Sequence, residues 1–342
     1  PRRIALIKPS ALGDIVHALP VLAALRSRFP DAHITWVVNR SYEPLLRGHI
    51  ALDATLPFDR GATKSAIKVI RFARRLRAAR FDLVIDLQGL LRTGLMAAVT
   101  GAARRIGLSS GREGATFFYT DVVPDDWNAH AVDRYWRVAA VLGAGDGPKR
   151  FDIPLNPAGL AWADSQLSCL ARPWLLLAVG ARWLTKRWSP EHFATLAKDA
   201  IRRSGGSVVF VGSRDEALLS RRCAALLPGP SLDLSGRTTL PQLAAILSRA
   251  DVVLANDSGP LHLAAALGRP VIAPYTCTDV RRHGPYGATN GAVATTVACR
   301  ASYVRRCDHL SCMSELTPDR LWPRLDEVLS AWPTQVRPAR PA

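Results

Sequence analysis

A polar loop near the N-terminus has the residue types of an anion- or substrate-binding turn. Small residues in the loop Lys8–Asp14 leave backbone N–H groups free to meet an anion or a substrate oxygen. These small residues are Ser10, Ala11 and Gly13. Asp14 stands where the next helix should begin, so it could cap that helix, or it could act as a general base. The local sequence leaves both roles open.

A second polar segment, Asn256–His262, is denser in functional groups. Asp257, Ser258 and Gly259 precede a helix and offer a carboxylate, a hydroxyl, backbone N–H groups and a helix N-terminus, which together suit a diphosphate. The alternative is an ordinary helix start, with Ser258 as its cap and His262 as a helix residue without a function. The segment holds more polar groups than a cap requires, which favours phosphate binding.

A third loop, Gly180–Pro190, carries Thr185 and Lys186 between the end of a strand and the start of a helix. A hydroxyl and an ammonium group at such a place can contact phosphate oxygens. The alternative is a solvated loop above two packed tryptophans, Trp183 and Trp188.

Four cysteines in the C-terminal third form a candidate metal-binding set. Cys299, Cys307 and Cys312 follow the spacing C-x7-C-x4-C, and Cys277 lies upstream. Four sulfur or nitrogen ligands would suffice for zinc or iron. The spacing lacks the C-x-x-C pairs of common zinc modules, so the sequence favours reduced structural cysteines and no metal site.

Short aliphatic runs that alternate with helical patterns must position these loops. Such alternation predicts an α/β fold with parallel sheets, whose ligands bind at the carboxyl ends of the strands. Each of the three polar loops follows one of the predicted strands. The strands are expected at Arg3–Lys8, His33–Val38, Leu83–Asp86, Trp174–Val179, Ser207–Val211, Asp251–Ala255 and Val271–Pro274.

The length of 342 residues exceeds one typical domain and fits two. Glycine and proline concentrate between Leu142 and Pro173, which is typical of a linker. The predicted organisation is one domain at 1–155, a second at 156–320, a last helix at 321–332 and a disordered tail at 333–342.

The charge balance is strongly basic, with 45 Lys and Arg against 28 Asp and Glu and a net charge of +17. Such an excess indicates a polyanionic partner: nucleic acid, an anionic membrane or a phosphorylated substrate. No apolar stretch reaches the ~20 residues of a membrane span, and the N-terminus does not read as a signal peptide. We therefore expect a cytoplasmic protein that is peripheral to a membrane.

Taken together, the three loops resemble the ADP-heptose:lipopolysaccharide heptosyltransferases, a glycosyltransferase family of the GT-B type. The resemblance extends over Arg3–Leu329 and rests on KPSALGDIVHALPVLAALR, WLTKRWSPEHFATL and NDSGPLHLAAALGRPVIAPY. VIDLQGLLRTGLMA, GLSSGREGATFFYTD and HAVDRYWRVAAVLG are similar to the branch that adds the first heptose to Kdo-lipid A. The resemblance implies an inverting, metal-independent enzyme with two Rossmann-like parallel-sheet domains that face a central cleft.

The resemblance also implies a role for each matching residue. Asp14 would be the general base, Lys186 with Thr185 would contact the donor phosphates, and Glu216 would bind the adenosine ribose. The diphosphate and heptose pocket would be formed by Asp257, Ser258, Gly259 and His262. The positions expected to bind the acceptor are Arg92, Arg112 and Arg134. The last helix, at 321–332, would pack back on the first domain, which binds the acceptor, and the second domain would bind the ADP-sugar.

A basic segment, Arg60–Arg80, holds eight basic residues and no acidic one. Lys64, Lys68, Arg71 and Arg75 lie on one face of a predicted amphipathic helix, and Ile67, Ile70, Ala73 and Leu76 lie on another. Arg60 and Lys64 are also expected to bind the acceptor. The uncompensated charge favours contact with lipid A phosphates or anionic lipid. The alternative is an ordinary solvated face above a packed one.

The expected partners are therefore ADP-heptose as donor, Kdo-lipid A as acceptor and the cytoplasmic face of the inner membrane, with no cofactor and no nucleic acid. One alternative is a sister heptosyltransferase with another acceptor, such as a heptosylated core or a protein. A nucleic-acid-binding protein would explain the charge but not the ordered loops, and no RNA-binding signature occurs. A nicotinamide oxidoreductase is disfavoured because no G-x-G-x-x-G follows the first strand.

Overall fold

The computed structural model describes residues 1–59, 61 and 65–332. The chain divides into two compact units, Pro1–Pro154 and Leu155–Ala342, each with its own sheet. Arg60, Lys64 and the predicted tail at 333–342 lie outside the described residues.

The first unit is a six-stranded parallel sheet with helices on both faces. Its elements are β1 (Arg3–Ile7), α1 (Leu12–Arg28), β2 (His33–Asn39), α2 (Glu43–Leu46), β3 (Ala54–Phe58), α3 (Ala66–Ala78), β4 (Leu83–Asp86), α4 (Leu91–Thr100), β5 (Arg104–Leu108), β6 (Asp121–Val123) and α5 (Ala131–Val141). The strands are ordered β3-β2-β1-β4-β5-β6. Helices α1 and α5 pack on one face, and α3 and α4 lie on the other.

The central strands of this sheet are continuous apolar runs because both of their faces are covered. Ile4 and Leu6 of β1 face the core with α1, while Ala5 and Ile7 face the core with α4. The predicted alternation of strands and helices is confirmed. The predicted strand near His33–Val38 extends one residue further, to Asn39.

The second unit has the same architecture. Its elements are α6 (Pro157–Leu167), β7 (Trp174–Ala178), α7 (Pro190–Ser204), β8 (Ser207–Phe210), α8 (Ala217–Ala224), β9 (Leu232–Asp233), α9 (Leu240–Arg249), β10 (Val252–Ala255), α10 (Gly259–Ala266), β11 (Val271–Tyr275), α11 (Val280–His283), β12 (Ala292–Ala294), α12 (Ser311–Glu315) and α13 (Pro318–Ser330). The sheet is again parallel, in the order β12-β11-β10-β7-β8-β9.

The last helix belongs to the core of the second unit. Leu321, Leu325 and Leu329 of α13 recur at helical spacing and pack with Phe193 and Leu196 of α7. The contact predicted between this helix and the first unit stays a prediction.

The polar loops singled out in the sequence all lie at the carboxyl edge of a sheet. In the first unit, residues 8–11 follow β1 and residues 87–90 follow β4. In the second unit, residues 179–189 follow β7, and the segments Asn256–Ser258 and Thr276–Asp279 follow β10 and β11. Neighbouring parallel strands therefore bring these segments together at one edge of each unit. No helix in the described residues is long and apolar enough to cross a membrane.

Candidate functional site

The carboxylate of Asp14 is anchored at the start of α1 by one of its two oxygens. Ala11 is the N-cap residue of this helix, and Asp14 occupies the third helical position. Its Oδ2 accepts a hydrogen bond of 2.8 Å from the backbone N–H of Ala11, which is the return bond of a capping box. Oδ1 forms no hydrogen bond with any described residue. One oxygen thus holds the loop, and the other stays available to a substrate.

The loop begins at a buried lysine, Lys8, for which the sequence predicts no role. The Nζ of Lys8 donates to the carbonyl of Leu87, at 2.9 Å, and to the hydroxyl of Tyr135, at 2.7 Å. Burial alone would lower the pKa of Lys8, but Tyr135 and the carboxylates of Asp14 and Asp86 raise it above its ordinary value. Lys8 therefore carries a positive charge under the Asp14 loop.

Asp86, at the end of β4, shapes the turn that leads into α4. It is almost fully buried, and it accepts hydrogen bonds of 2.8 Å from the hydroxyl of Tyr119 and from the N–H of Gln88. Burial raises the pKa of the Asp86 carboxyl despite these bonds. Beyond this turn lie two arginines predicted to bind the acceptor, Arg92 and Arg112, and both are exposed.

The third arginine predicted to bind the acceptor has a different environment. Arg134 is 8% exposed, and its Nε lies 2.7 Å from the carboxylate of Asp125. The guanidinium also lies 4.5 Å from the ring centroid of Trp127 and donates to the hydroxyl of Ser110. Its charge is already balanced within the unit, so acceptor binding by Arg134 stays a prediction.

In the second unit, the predicted donor-binding residues meet around the carboxylate of Asp257. The Nζ of Lys186 lies 2.5 Å from Oδ2, which also accepts a 2.6 Å bond from Thr278. The Nε2 of His262 lies 3.2 Å from Oδ1. Burial would raise the pKa of Asp257, but the charge of Lys186 and the bond from His262 hold it well below its usual range. The structure thus brings together three of the residues that the sequence placed in one pocket.

Asn256 joins two of the loops and was missed as a functional residue. Its fully buried side chain accepts a 3.0 Å bond from the N–H of Trp188 and donates a 2.8 Å bond to the carbonyl of Val179. The loop after β7 is therefore tied to the segment after β10 through one amide side chain. The sequence shows that Asn256 directly precedes Asp257. It does not show that the Asn256 side chain bonds to the N–H of Trp188 and the carbonyl of Val179.

Ser258 occupies the N-cap position of α10 but does not cap it with its side chain. Its backbone is extended, with φ −149° and ψ 170°, yet its hydroxyl accepts no bond from the first turn. The Oγ atom is buried and has no hydrogen-bond partner among the described residues. The hydroxyl and the N–H of Gly259 at the helix start therefore remain for a ligand.

Thr185 holds a distant segment of the chain against this site. It is buried, and its Oγ1 donates a 2.6 Å bond to the carbonyl of Val304. The neighbouring indole of Trp183 lies between two cations: the Nζ of Lys186 is 4.6 Å from the ring centroid, and the guanidinium of Arg305 is 5.0 Å from it. Arg305 was missed, because it stands more than a hundred residues after Trp183 and belongs to no motif.

Glu216 ends the short 3-10 turn Arg214–Glu216 that follows β8, and it lies beside the main chain after β7. Its Oε2 accepts bonds of 2.8 and 2.9 Å from the N–H and the hydroxyl of Ser213. A Cβ atom at Gly180 would lie 2.2 Å from the carboxyl carbon of Glu216, so the carboxylate can occupy this place only because residue 180 is glycine. Its predicted contact with a ribose stays a prediction.

The cysteines of the C-terminal third are free thiols. Cys277 is buried, Cys299 is exposed, and Cys307 and Cys312 are half-buried. Burial and the neighbouring Cys299 raise the pKa of the Cys312 thiol. Across residues 1–59, 61 and 65–332, no three metal-ligating side chains form a group that could hold an ion.

Comparisons with known proteins fit these observations. The sequence model of glycosyltransferase family 9 (heptosyltransferase) matches residues 69–312. Lipopolysaccharide heptosyltransferase 1 of Pseudomonas aeruginosa is 28% identical, over 96% of this chain and 98% of its own. Two structures from E. coli are each 25% identical: ADP-heptose lps heptosyltransferase II, with a TM-score of 0.75, and heptosyltransferase WaaC with ADP, with a TM-score of 0.74.

Both structures match nearly full length, covering 96% and 95% of this chain and 98% and 99% of their own. The family model alone spans more than half of the residues. The resemblance seen in the loops is thereby confirmed, as is the predicted fold class of two Rossmann-like parallel-sheet domains of the GT-B type. The protein is a glycosyltransferase, and its chain belongs to glycosyltransferase family 9, the heptosyltransferases.

Proposed function

We propose that this enzyme transfers a heptose from ADP-heptose to the Kdo of Kdo-lipid A in the biosynthesis of the lipopolysaccharide inner core. The observation that supports it best is the group of Lys186, Asp257 and His262 beside the start of α10. Relatives that carry the name lipopolysaccharide heptosyltransferase 1 match the chain over most of its length. The match with E. coli heptosyltransferase structures holding ADP and ADP-2-deoxy-2-fluoro heptose supports the same donor.

The donor diphosphate would bind at the N-terminus of α10. The buried Oγ of Ser258 and the N–H of Gly259 offer hydrogen bonds to phosphate oxygens, and the helix dipole favours negative charge there. Lys186, now paired with Asp257, would shift to the phosphate and stabilise the charge that develops on the departing ADP. In this proposal the protein itself supplies this stabilisation, and no metal ion is required.

The rest of the nucleotide would extend toward β8. Glu216 accepts bonds through Oε2, and a carboxylate has further acceptor capacity for the hydroxyls of a ribose. Gly180 leaves the space in which this carboxylate lies.

Asp14 would act as the general base. Its Oδ1 would take the proton of the acceptor hydroxyl while that oxygen attacks the anomeric carbon and ADP leaves from the opposite side, so the anomeric configuration inverts. The bond from Ala11 to Oδ2 fixes the carboxylate for this step. Asp14 belongs to the first unit, and the proposed diphosphate site belongs to the second.

The acceptor would bind to the first unit. The exposed guanidinium groups of Arg92 and Arg112 suit the carboxylates of Kdo and the phosphates of lipid A. Helix α3, with its exposed Lys68 and Arg71, would contact the anionic cytoplasmic face of the inner membrane.

The test is a transfer assay that follows ADP release from ADP-heptose with three acceptors: Kdo-lipid A, a heptosylated core, and none. We expect release above the acceptor-free background with Kdo-lipid A, unchanged by EDTA, and a product whose anomeric configuration is inverted by NMR. Release with the heptosylated core alone would assign the enzyme to another acceptor. Retained configuration, or a rate abolished by EDTA, would overturn the mechanism.

A further inference from the structure

A cavity of about 420 Å³ lies between α3 and α4 in the first unit. Its walls are largely apolar, and it opens beside the ends of β2 and β3. The apolar lining includes Phe58, Phe72, Val69, Leu95, Met96 and Val99.

Apolar groups on both walls of this cavity are exposed to solvent. Val69 of α3 is 45% exposed, and Leu95 and Val99 of α4 are 45% and 37% exposed. On α3, only Leu76 is fully packed, whereas Ile67 and Ile70 of the predicted apolar face are 70% and 52% exposed. A contiguous apolar surface of this kind marks a site that a ligand or a membrane covers.

Cations surround the cavity almost without compensation. Among the described residues, its lining contains one carboxylate, that of Asp59, and five basic side chains. The basic residues are Arg40, Lys68, Arg71, Arg75 and Arg92. Within the described part of the chain, none of the five forms an ion pair. An apolar cavity with a cationic rim fits an amphiphile that has an acyl chain and an anionic head.

The position of the cavity connects it with the acceptor side of the proposed reaction. Arg40 follows Asn39, whose N–H donates a 3.0 Å bond to the carbonyl of Pro9 in the Asp14 loop. Arg92, on the opposite wall, is one of the arginines predicted to bind the acceptor. The cavity and the proposed base therefore lie at the same edge of one sheet.

We propose that this cavity holds one acyl chain of the phosphorylated glycolipid acceptor, with a phosphate of that lipid at the cationic rim. The inference rests on the proposed function, because it names how the same acceptor is recognised. The protein would then bind the lipid portion of its acceptor as well as its sugar.

The first test measures binding of hexyl, octyl and decyl phosphate by calorimetry, below their micelle concentrations. The dissociation constant should fall about fourfold for each added methylene, the factor that corresponds to ~0.8 kcal/mol. Ala73→Phe places a ring in the cavity and should abolish this dependence on chain length. Ala78→Phe, the same change at an exposed position of α3 outside the cavity, should retain it.

A second pair of variants tests the rim. Arg75→Gln should weaken octyl phosphate binding several-fold, whereas Arg137→Gln, an exposed arginine on α5, should leave it unchanged. Val99→Trp fills the cavity from the other wall and replaces Ala73→Phe if that variant unfolds on heating at a lower temperature than the wild type. Equal affinity for all three phosphates, or an unchanged chain-length dependence in a folded filled variant, would overturn the proposal.

A third measurement identifies the occupant. With the acylated acceptor, Ala73→Phe should raise KM several-fold, and with the deacylated acceptor it should leave KM unchanged. If alkyl phosphates bind but Ala73→Phe has the same effect on KM for both acceptors, the cavity binds another lipid and the proposal is wrong. If no acceptor supports ADP release while the chain-length dependence holds, the transfer reaction fails and the acyl site stands as a lipid site only.

Discussion

The two units carry the same fold and opposite electrostatics at their functional edges. In the second unit, the charge of Lys186 is balanced by Asp257, which is also bonded to Thr278 and His262. In the first unit, Arg92 and the cations around the α3–α4 cavity have no carboxylate partner among the described residues. In the second unit the cation is already paired with a carboxylate, whereas in the first unit these cations are not paired with a described carboxylate.

This difference predicts how each site responds to change. A buried ion pair is costly to break, since removal of one partner leaves the other charge buried and unpaired. Exposed cations contribute little to the folded state, because water already solvates them. Substitutions in the second unit should therefore lower stability and donor binding together, whereas those at the rim of the first unit should change acceptor binding alone.

The largest effect is expected at Asp14, the proposed general base. Asp14→Asn should lower the turnover rate by about 10²–10⁴-fold, because an amide cannot take a proton, while it can still accept the bond from Ala11. Affinity for ADP-heptose, measured by calorimetry, should stay within about twofold of the wild type. Asp31→Asn, at an exposed position of the same unit, is the control. A near-wild-type rate for Asp14→Asn would reduce Asp14 to a structural role.

The next largest effect should come from breaking the neutralised pair. Lys186→Met should destabilise the protein by about 3–5 kcal/mol, because Asp257 stays buried without its cation. The lowered pKa of Asp257 stabilises the folded wild type at every pH above the ordinary value of 3.8, and this stabilisation is lost only as the pH falls below that value. Without Lys186, burial raises the pKa of the Asp257 carboxyl, so the folded variant binds a proton at a higher pH and regains part of the lost stability as the pH falls.

Thermal unfolding of both proteins between pH 7 and pH 4 measures this difference. The gap in Tm between wild type and Lys186→Met should narrow toward pH 4, because protonation of Asp257 in the variant removes its unpaired buried charge. Lys198→Met on α7 serves as the matched control and should show no such narrowing. A constant gap would mean that Lys186 does not set the pKa of Asp257.

A smaller effect is expected at the amide that joins the two loops. Asn256→Ala should cost about 1–3 kcal/mol, because the N–H of Trp188 and the carbonyl of Val179 lose their partner inside the protein. Donor affinity should fall with stability, which a urea titration and calorimetry would record together. The exposed Asn290→Ala should change neither. Weakened donor binding at full stability would place Asn256 in direct contact with the ligand instead.

The smallest effect is expected at Arg305, whose guanidinium lies over the ring of Trp183. Arg305→Gln should weaken ADP-heptose binding by about two- to fivefold, the scale of an exposed cation–π contact. Arg306→Gln, which changes the same charge one residue further along, should have no effect. Equal losses in both variants would indicate general attraction by positive charge rather than a contact at the indole.

The sequence predicted the central strands and the loops that follow them, because continuous apolar runs mark strands that are covered on both faces. It missed five outer strands of the two sheets: β3, β5, β6, β9 and β12. It also placed Lys186, Asp257 and His262 in one pocket. Contacts between distant segments escaped it: nothing near Thr185 indicates a bond to Val304. The sequence also cannot distinguish a paired cation from an unpaired one. It therefore gave Arg134 and Arg92 the same role, whereas the structure pairs Arg134 with Asp125 and leaves Arg92 exposed.

The amide of Asn256 has a consequence for engineering the enzyme. Its side chain bonds to both Val179 and Trp188, so the loop after β7 and the segment after β10 are held together by this residue. If a chimera takes only one of these segments from a relative with another sugar donor, the residue at position 256 and its two bonding partners come from different proteins. Their hydrogen bonds are then no longer matched. Donor specificity should therefore be transplanted as the pair, residues 179–189 together with 256–262.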